Sequence, residues 1–162
     1  MALLVGTDTY ATLAEADAYL SSRGVSAWDG AYPPAKEAAL IEATAFLDAA
    51  FAWAGKIEDT AQALSWPRIC VKDREGRTLS GIPVAVKNAA IELAALAVGG
   101  RLSAMALQDN GGAIKSEEIG DVRVQYDTAT IRPANFDYVE MLLRGLGTLR
   151  SKTNATVKLQ RV

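Results

Sequence analysis

The run TAQALSWPRICVKDREG, residues 60–76, gathers the side chains with which this chain could do chemistry: its lone cysteine, a Trp-Pro pair and three basic residues. A thiolate at Cys70 is the nucleophile such a run suggests, and its activation needs an imidazole or neighbouring cations. No histidine occurs in the 162 residues, which leaves only Arg68 and Lys72 for that task. The same absence removes Ser-His-Asp and Cys-His catalysis and every histidine-based metal site. Gly99-Gly100 and Gly111-Gly112 have neither the Lys-Ser/Thr of a phosphate-binding loop nor the spacing of a dinucleotide fingerprint. The sequence therefore predicts no enzyme, with no catalytic, metal or cofactor-binding residues and no cofactor.

The other reading of the run is mechanical. The residue before a proline is pushed out of helical conformation, so Trp66-Pro67 enforces an extended approach. An indole there is large enough to cover the ends of flanking helices. Arg68 and Arg74 could pair with Asp73, Glu75 or another subunit, but a solvated face is the default expectation for them. The connection from Gly55 to Ile82 is long for a structureless loop in a compact domain, and loops of that length are usually functional or pack against something.

The elements that position this run are helical. Thr12 with Glu15 forms a capping box ahead of Leu13, Ala16 and Leu20, and Gly24 ends that first helix. Asp17 sits at the rim of the apolar face, where a solvated carboxylate is expected. Pro33-Pro34 opens a second helix, with Leu40, Thr44, Leu47 and Phe51 on one stripe and Ile41 and Phe46 on its flanks. A third helix, IPVAVKNAAIELAALAVGG, carries two apolar stripes: Val86, Ala90, Leu93 and Ala97, then Val84, Ile91 and Val98. A helix apolar nearly all round is either central in its own domain or shared with a neighbour.

Alternation of Val122, Val124 and Tyr126 with Arg123, Gln125 and Asp127 predicts a hairpin at about residues 113–127, turning at Gly120-Asp121. A fourth helix follows with Asn135 as its cap, Phe136, Val139 and Leu143 on one face, and Gly145 and Gly147 as terminators. The expected fold is mainly α: a small bundle of about four helices with a long loop, one β-hairpin and an extended C-terminal tail. The domain spans residues 1–149, and residues 150–162 form a basic tail with Arg150, Lys152, Lys158 and Arg161 and no acid.

Half of the chain is hydrophobic, enough for one domain to bury roughly 70% of its unfolded surface. One cysteine allows no internal disulfide. MALLVGTDTY lacks the basic region of an export signal, and its apolar run is too short for a membrane span, so a soluble, cytosolic chain is expected. A net charge of −2 and a pI near 5.2 argue against an overall basic field for nucleic acid.

In order, YATLAEADAYLSSRG, Trp28, KEAALIEATAFLDAAFAWAGK, QALSWPR, DREG, IPVAVKNAAIELAALA and GGAIKSEEIGDVRVQYD resemble a phage and prophage family. That family is labelled DnaT-like single-stranded-DNA-binding protein and is understood as head–tail connector adaptors of tailed phages. The resemblance covers about residues 10–140. Its most specific element is the series Trp53-Gly55, Gln62-Ala63-Leu64, Trp66-Pro67-Arg68, Asp73 and Ile82-Pro83. It implies a structural virion protein: a subunit of a dodecameric ring bridging the portal protein and a tail-side neck or stopper protein. Double-stranded DNA would pass through the channel, no membrane would be involved, and the ring would sit in the virion neck after assembly in the host cytoplasm.

On that reading the expected interface comprises Trp66, Pro67, Arg68, Arg74, Ile91 and Val98, then Glu118 and Arg123 on the hairpin, and Arg150, Lys152, Lys158 and Arg161 in the tail. The alternative is a single-stranded-DNA-binding accessory protein, stacking bases on aromatics such as Trp28, Trp53 and Trp66. Those tryptophans are not interleaved with Lys or Arg, and the connector is the preferred expectation.

Overall fold

The computed structural model describes residues 3–100, 102, 116–119, 122–125 and 134–150, with side-chain detail at 3–100, 102 and 137–150. Helix α1 spans Leu13–Ser21, the single turn α2 Ser26–Asp29, α3 Pro33–Ala50, α4 Val84–Gly99 and α5 Ala134–Leu142. Short strands fill in between: β1 Phe51–Trp53, β2 Lys56–Ile57, β3 Arg68–Ile69, β4 Ser116–Ile119, β5 Val122–Gln125 and β6 Gly147–Leu149. The mainly helical expectation holds.

Local sequence accounts for the boundaries. The Thr12 hydroxyl accepts from the Glu15 amide at 3.1 Å, and the Glu15 carboxylate accepts from the Thr12 amide at 2.8 Å, so the capping box forms as expected. Gly24 stops the segment at φ +66°. Pro33 and Pro34 occupy the first turn of α3, where proline's missing donor costs nothing. Asn135 lies inside α5 rather than capping it. Gly145 ends the turn after α5 at φ +92°, but Gly147 belongs to a strand.

The core forms where α3 and α4 pack along each other. Ala39, Leu40, Ala43, Thr44 and Leu47 of α3 face Val86, Ala89, Ala90, Leu93 and Ala94 of α4. Helices α1, α2 and α5 also pack on α4. Its all-round hydrophobicity therefore marks a central helix: Ile91 is 2% exposed and Val98 is half-buried within this one chain. Val84 departs from this pattern. It opens α4 at 70% exposure.

Asp17 lies at the rim as expected, its side chain 43% exposed, and it also has partners. Its Oδ1 accepts from Trp28 Nε1 at 2.8 Å and from Lys36 Nζ at 2.9 Å, tying α1 to α2 and α3. Burial pushes this carboxyl up, but the hydrogen bonds from Lys36 and Trp28 and the Lys36 charge outweigh it and hold Asp17 below the usual carboxylate range.

Strand pairing closes the fold at its far end. β1 runs antiparallel to β6, with Phe51 opposite Leu149 and Trp53 opposite Gly147. A Cβ at Gly147 would lie 2.8 Å from the Trp53 ring, so the indole takes the space that glycine leaves. The hairpin expected at about 113–127 is present as β4 paired with β5, Ser116 opposite Gln125 and Ile119 opposite Val122. Its expected turn at Gly120-Asp121 lies outside the described residues. No helix among the described residues is long and apolar enough to cross a membrane.

Candidate nucleic-acid interface

The Gly55–Ile82 connection folds onto its own chain. β2 pairs with β3, Lys56 opposite Ile69, and Trp66 is fully buried, edge-on to Trp53 with ring centroids 5.7 Å apart. Arg68 fastens the corner: its guanidinium donates to the carbonyls of Ala54 at 2.7 Å, Gly55 at 3.0 Å and Ser65 at 3.1 Å. The Gln62 amide adds donations to the carbonyls of Leu64 and Pro67. Gly55 sits at φ +70°, and a Cβ there would fall 2.3 Å from the Ile69 carbonyl oxygen. Only glycine permits that approach.

Beyond the corner, Asp73 builds a tight turn. Its Oδ1 accepts from the amides of Glu75 and Arg77, and its Oδ2 from Arg77 Nε at 2.7 Å. The desolvation cost to this carboxylate is outweighed by those backbone and side-chain bonds from Arg77 and by the Arg77 charge, so Asp73 is held below the usual carboxylate range. The turn projects Arg74 toward α5, where Nη2 donates to the Met141 carbonyl at 2.9 Å and Nε reaches the Arg144 carbonyl at 3.5 Å. Carbonyls at a helix C-terminus lack intrahelical donors and carry the negative end of the dipole. Arg74 satisfies both demands.

Between this turn, the start of α4 and the end of α5 lies an open groove of about 690 Å³. Among the described residues four cations (Lys72, Arg74, Arg77 and Arg144) line it against two carboxylates, Asp73 and Glu75. In a chain whose net charge is −2, this is a local positive field. Val84 and Met141, exposed 70% and 62%, add apolar surface from α4 and α5. An anionic polymer with apolar parts is the ligand chemistry that matches such a surface.

The residues expected at an interface separate into three groups. Trp66 and Ile91 are core residues with almost no surface to offer a partner, and Val98 packs partly against the same core. Pro67 and Arg68 belong to the self-packed corner, half-buried with Arg68 spent on carbonyls. Arg74 lines the groove, and Arg150 is exposed with its amide donating to the Ala50 carbonyl at 2.7 Å. The side chains of Glu118 and Arg123, and residues Lys152, Lys158 and Arg161, lie outside the described residues.

Sequence reasoning did not select Arg77, Val84, Met141 or Arg144, and considered Lys72 only as a neighbour of Cys70. The usable signal was DREGR, a glycine turn between cations. What places its arginines against α5 is tertiary.

Cys70 is exposed at φ +61°, with Arg68 committed to carbonyls. Among the described residues no cluster of three or more His, Cys, Asp or Glu could hold a metal. The base-stacking platform proposed for the three tryptophans does not form: Trp28 and Trp66 are fully buried, and Trp53 is half-buried between Phe51 and Trp66.

A family model described as "Putative DnaT-like ssDNA binding protein" matches residues 2–162. Comparison with curated proteins and with solved structures finds no match. The family description overturns the preferred connector expectation. It names single-stranded DNA, and nothing in the comparisons supports a head–tail connector, a portal or stopper partner, a dodecameric ring or a channel for double-stranded DNA. The structure removes the physical motive as well, because the surplus apolar face of α4 is covered from within the chain. Matched along nearly its whole length, the chain belongs to the family described as "Putative DnaT-like ssDNA binding protein".

Proposed function

We propose that this chain binds single-stranded DNA without catalysing a reaction on it, holding the phosphate backbone along the cationic groove between the 72–85 segment and the end of α5. The family match over residues 2–162 carries the reading. The charge of the groove supports it: among the described residues Lys72 and Arg144 form no ion pair, so both are available to phosphates. Arg74 and Arg77 are hydrogen-bonded at their places but keep their charge. An acidic chain with a basic groove binds loosely and loses affinity quickly as salt rises.

The test is an anisotropy titration of a labelled oligothymidylate across a salt series. Each phosphate neutralised on a single strand contributes a slope of about −0.7 in log K against log salt, so Lys72 and Arg144 alone predict about −1.4 and all four groove cations about −2.8. A steeper slope would add the basic tail to the contact. Absence of any binding at about 50 mM salt, where such contacts are strong, refutes the proposal.

A further inference from the structure

Phosphates are common to single and double strands, so the four cations alone do not explain a preference for either. The groove also has an apolar part that the fold does not use. Val84 is the first residue of α4 and is 70% exposed, although every other valine or leucine of that helix is at least half-buried. Met141, near the end of α5, is 62% exposed and lines the same groove. Ile82 and Leu79 continue this wall as half-buried neighbours. Among the described residues no aromatic side chain lines the groove, and Trp28 and Trp66 are locked in the core. Base contact there must be with aliphatic and thioether groups, which are tolerant of base identity. Methionine's flexible, polarisable side chain suits such an adaptable surface.

We propose that Val84 and Met141 are specificity-determining residues that receive the faces of unpaired bases while Lys72 and Arg144 hold the flanking phosphates. This inference rests on the single-strand reading above and deepens it. The occupant follows from charge and polarity together: four cations against two carboxylates call for a polyanion, and exposed apolar groups among them call for a polyanion with accessible flat apolar faces. A duplex buries those faces in its stack and presents phosphates and base edges, whereas an unpaired strand presents phosphates and base faces together.

The experiment compares three labelled probes of about 15 nucleotides, a length within the range that single-strand binding modules cover: oligothymidylate, an abasic strand with the same phosphates, and a duplex. The proteins are the full chain, the double variant Val84→Ser/Met141→Ser, and Met141→Ser alone in case the double variant melts early. We expect wild type to prefer oligothymidylate over the abasic strand by about tenfold, the equivalent of one modest base contact. The double variant loses that preference and binds all three probes as wild type binds the abasic strand. If the variants bind oligothymidylate as wild type does, or wild type binds abasic and thymidylate strands equally, the base-contact inference is overturned and phosphate binding stands. If wild type binds none of the probes, the single-strand reading itself is overturned.

Discussion

Gly55 is where the 54–83 segment is fastened, and substituting it tests that fastening. Gly55→Ala introduces two costs. At φ +70° a side-chain-bearing residue is strained by about 1–2 kcal/mol. The new methyl would also sit 2.3 Å from the Ile69 carbonyl oxygen and 2.5 Å from Val71 Cγ2, contacts that need a backbone shift of the kind that costs about 1–3 kcal/mol. Reduced freedom of the unfolded chain offsets roughly 0.4–1 kcal/mol. A net loss of about 2–4 kcal/mol lowers Tm by roughly 5–15 °C in a domain of this size. Gly24→Ala is the internal control, because Gly24 has a similar φ of +66° but nothing within 4 Å of its Cβ position. Melting both variants by circular dichroism separates strain from collision. A Gly55→Ala variant melting within about 2 °C of Gly24→Ala would mean that the β2–β3 corner yields freely and that the close approach constrains nothing.

Three further outcomes are expected. Arg68→Ala removes charge-assisted bonds to three carbonyls and should cost about 3 kcal/mol in urea unfolding; Arg68→Lys should recover less than half, because an ammonium cannot span the fork. Tyr10→Phe deletes the hydroxyl that donates to Asp48, whose other oxygen accepts from the Ser65 amide, and should cost about 1–2 kcal/mol by the same measurement. Burial, then the bond to and charge of Asp48, push the Tyr10 phenol far above its ordinary range, so the wild-type and Tyr10→Phe absorbance titrations should coincide up to about pH 11. Asp17 has a folded pKa below its unfolded value of about 4, so its contribution is complete above that value and fades as pH falls through the folded pKa. The Tm gap between wild type and Asp17→Asn should therefore be constant from about pH 7 to 5 and shrink below about pH 4; a gap that widens on acidification contradicts the assigned shift.

Much of the fold was legible because it is local. The Thr12–Glu15 box, the Pro33-Pro34 entry and the 3.6-residue stripes of α3 and α4 each follow from spacing that backbone geometry fixes. Contacts that join distant segments were not legible. The pairing of β1 with β6 depends on three residues each, with too few alternations to read, and its signature, Gly147 beneath Trp53, resembles an ordinary helix stop. The groove was hidden for the same reason. Arg74 meets carbonyls some seventy residues away, and nothing in the spacing of DREG foretells that partner.

The element left open between two readings was α4, and its physics explains why the connector expectation looked attractive. Apolar surface on every side admits two burial partners, another subunit or the rest of the same chain, and periodicity does not distinguish them. Here α1, α2, α3 and α5 all pack on it, and its interior is spent before any partner arrives. What the groove exposes is different in kind: single apolar residues at the ends of α4 and α5, set among arginines and lysine. A protein–protein interface favours a contiguous apolar centre with charge at the rim. A nucleic-acid surface is polar and positively charged, with its apolar contacts interspersed. The groove has the second character; Gly55 and Arg68 fasten the loop that carries it, and Arg74 both ties that loop to α5 and lines the groove.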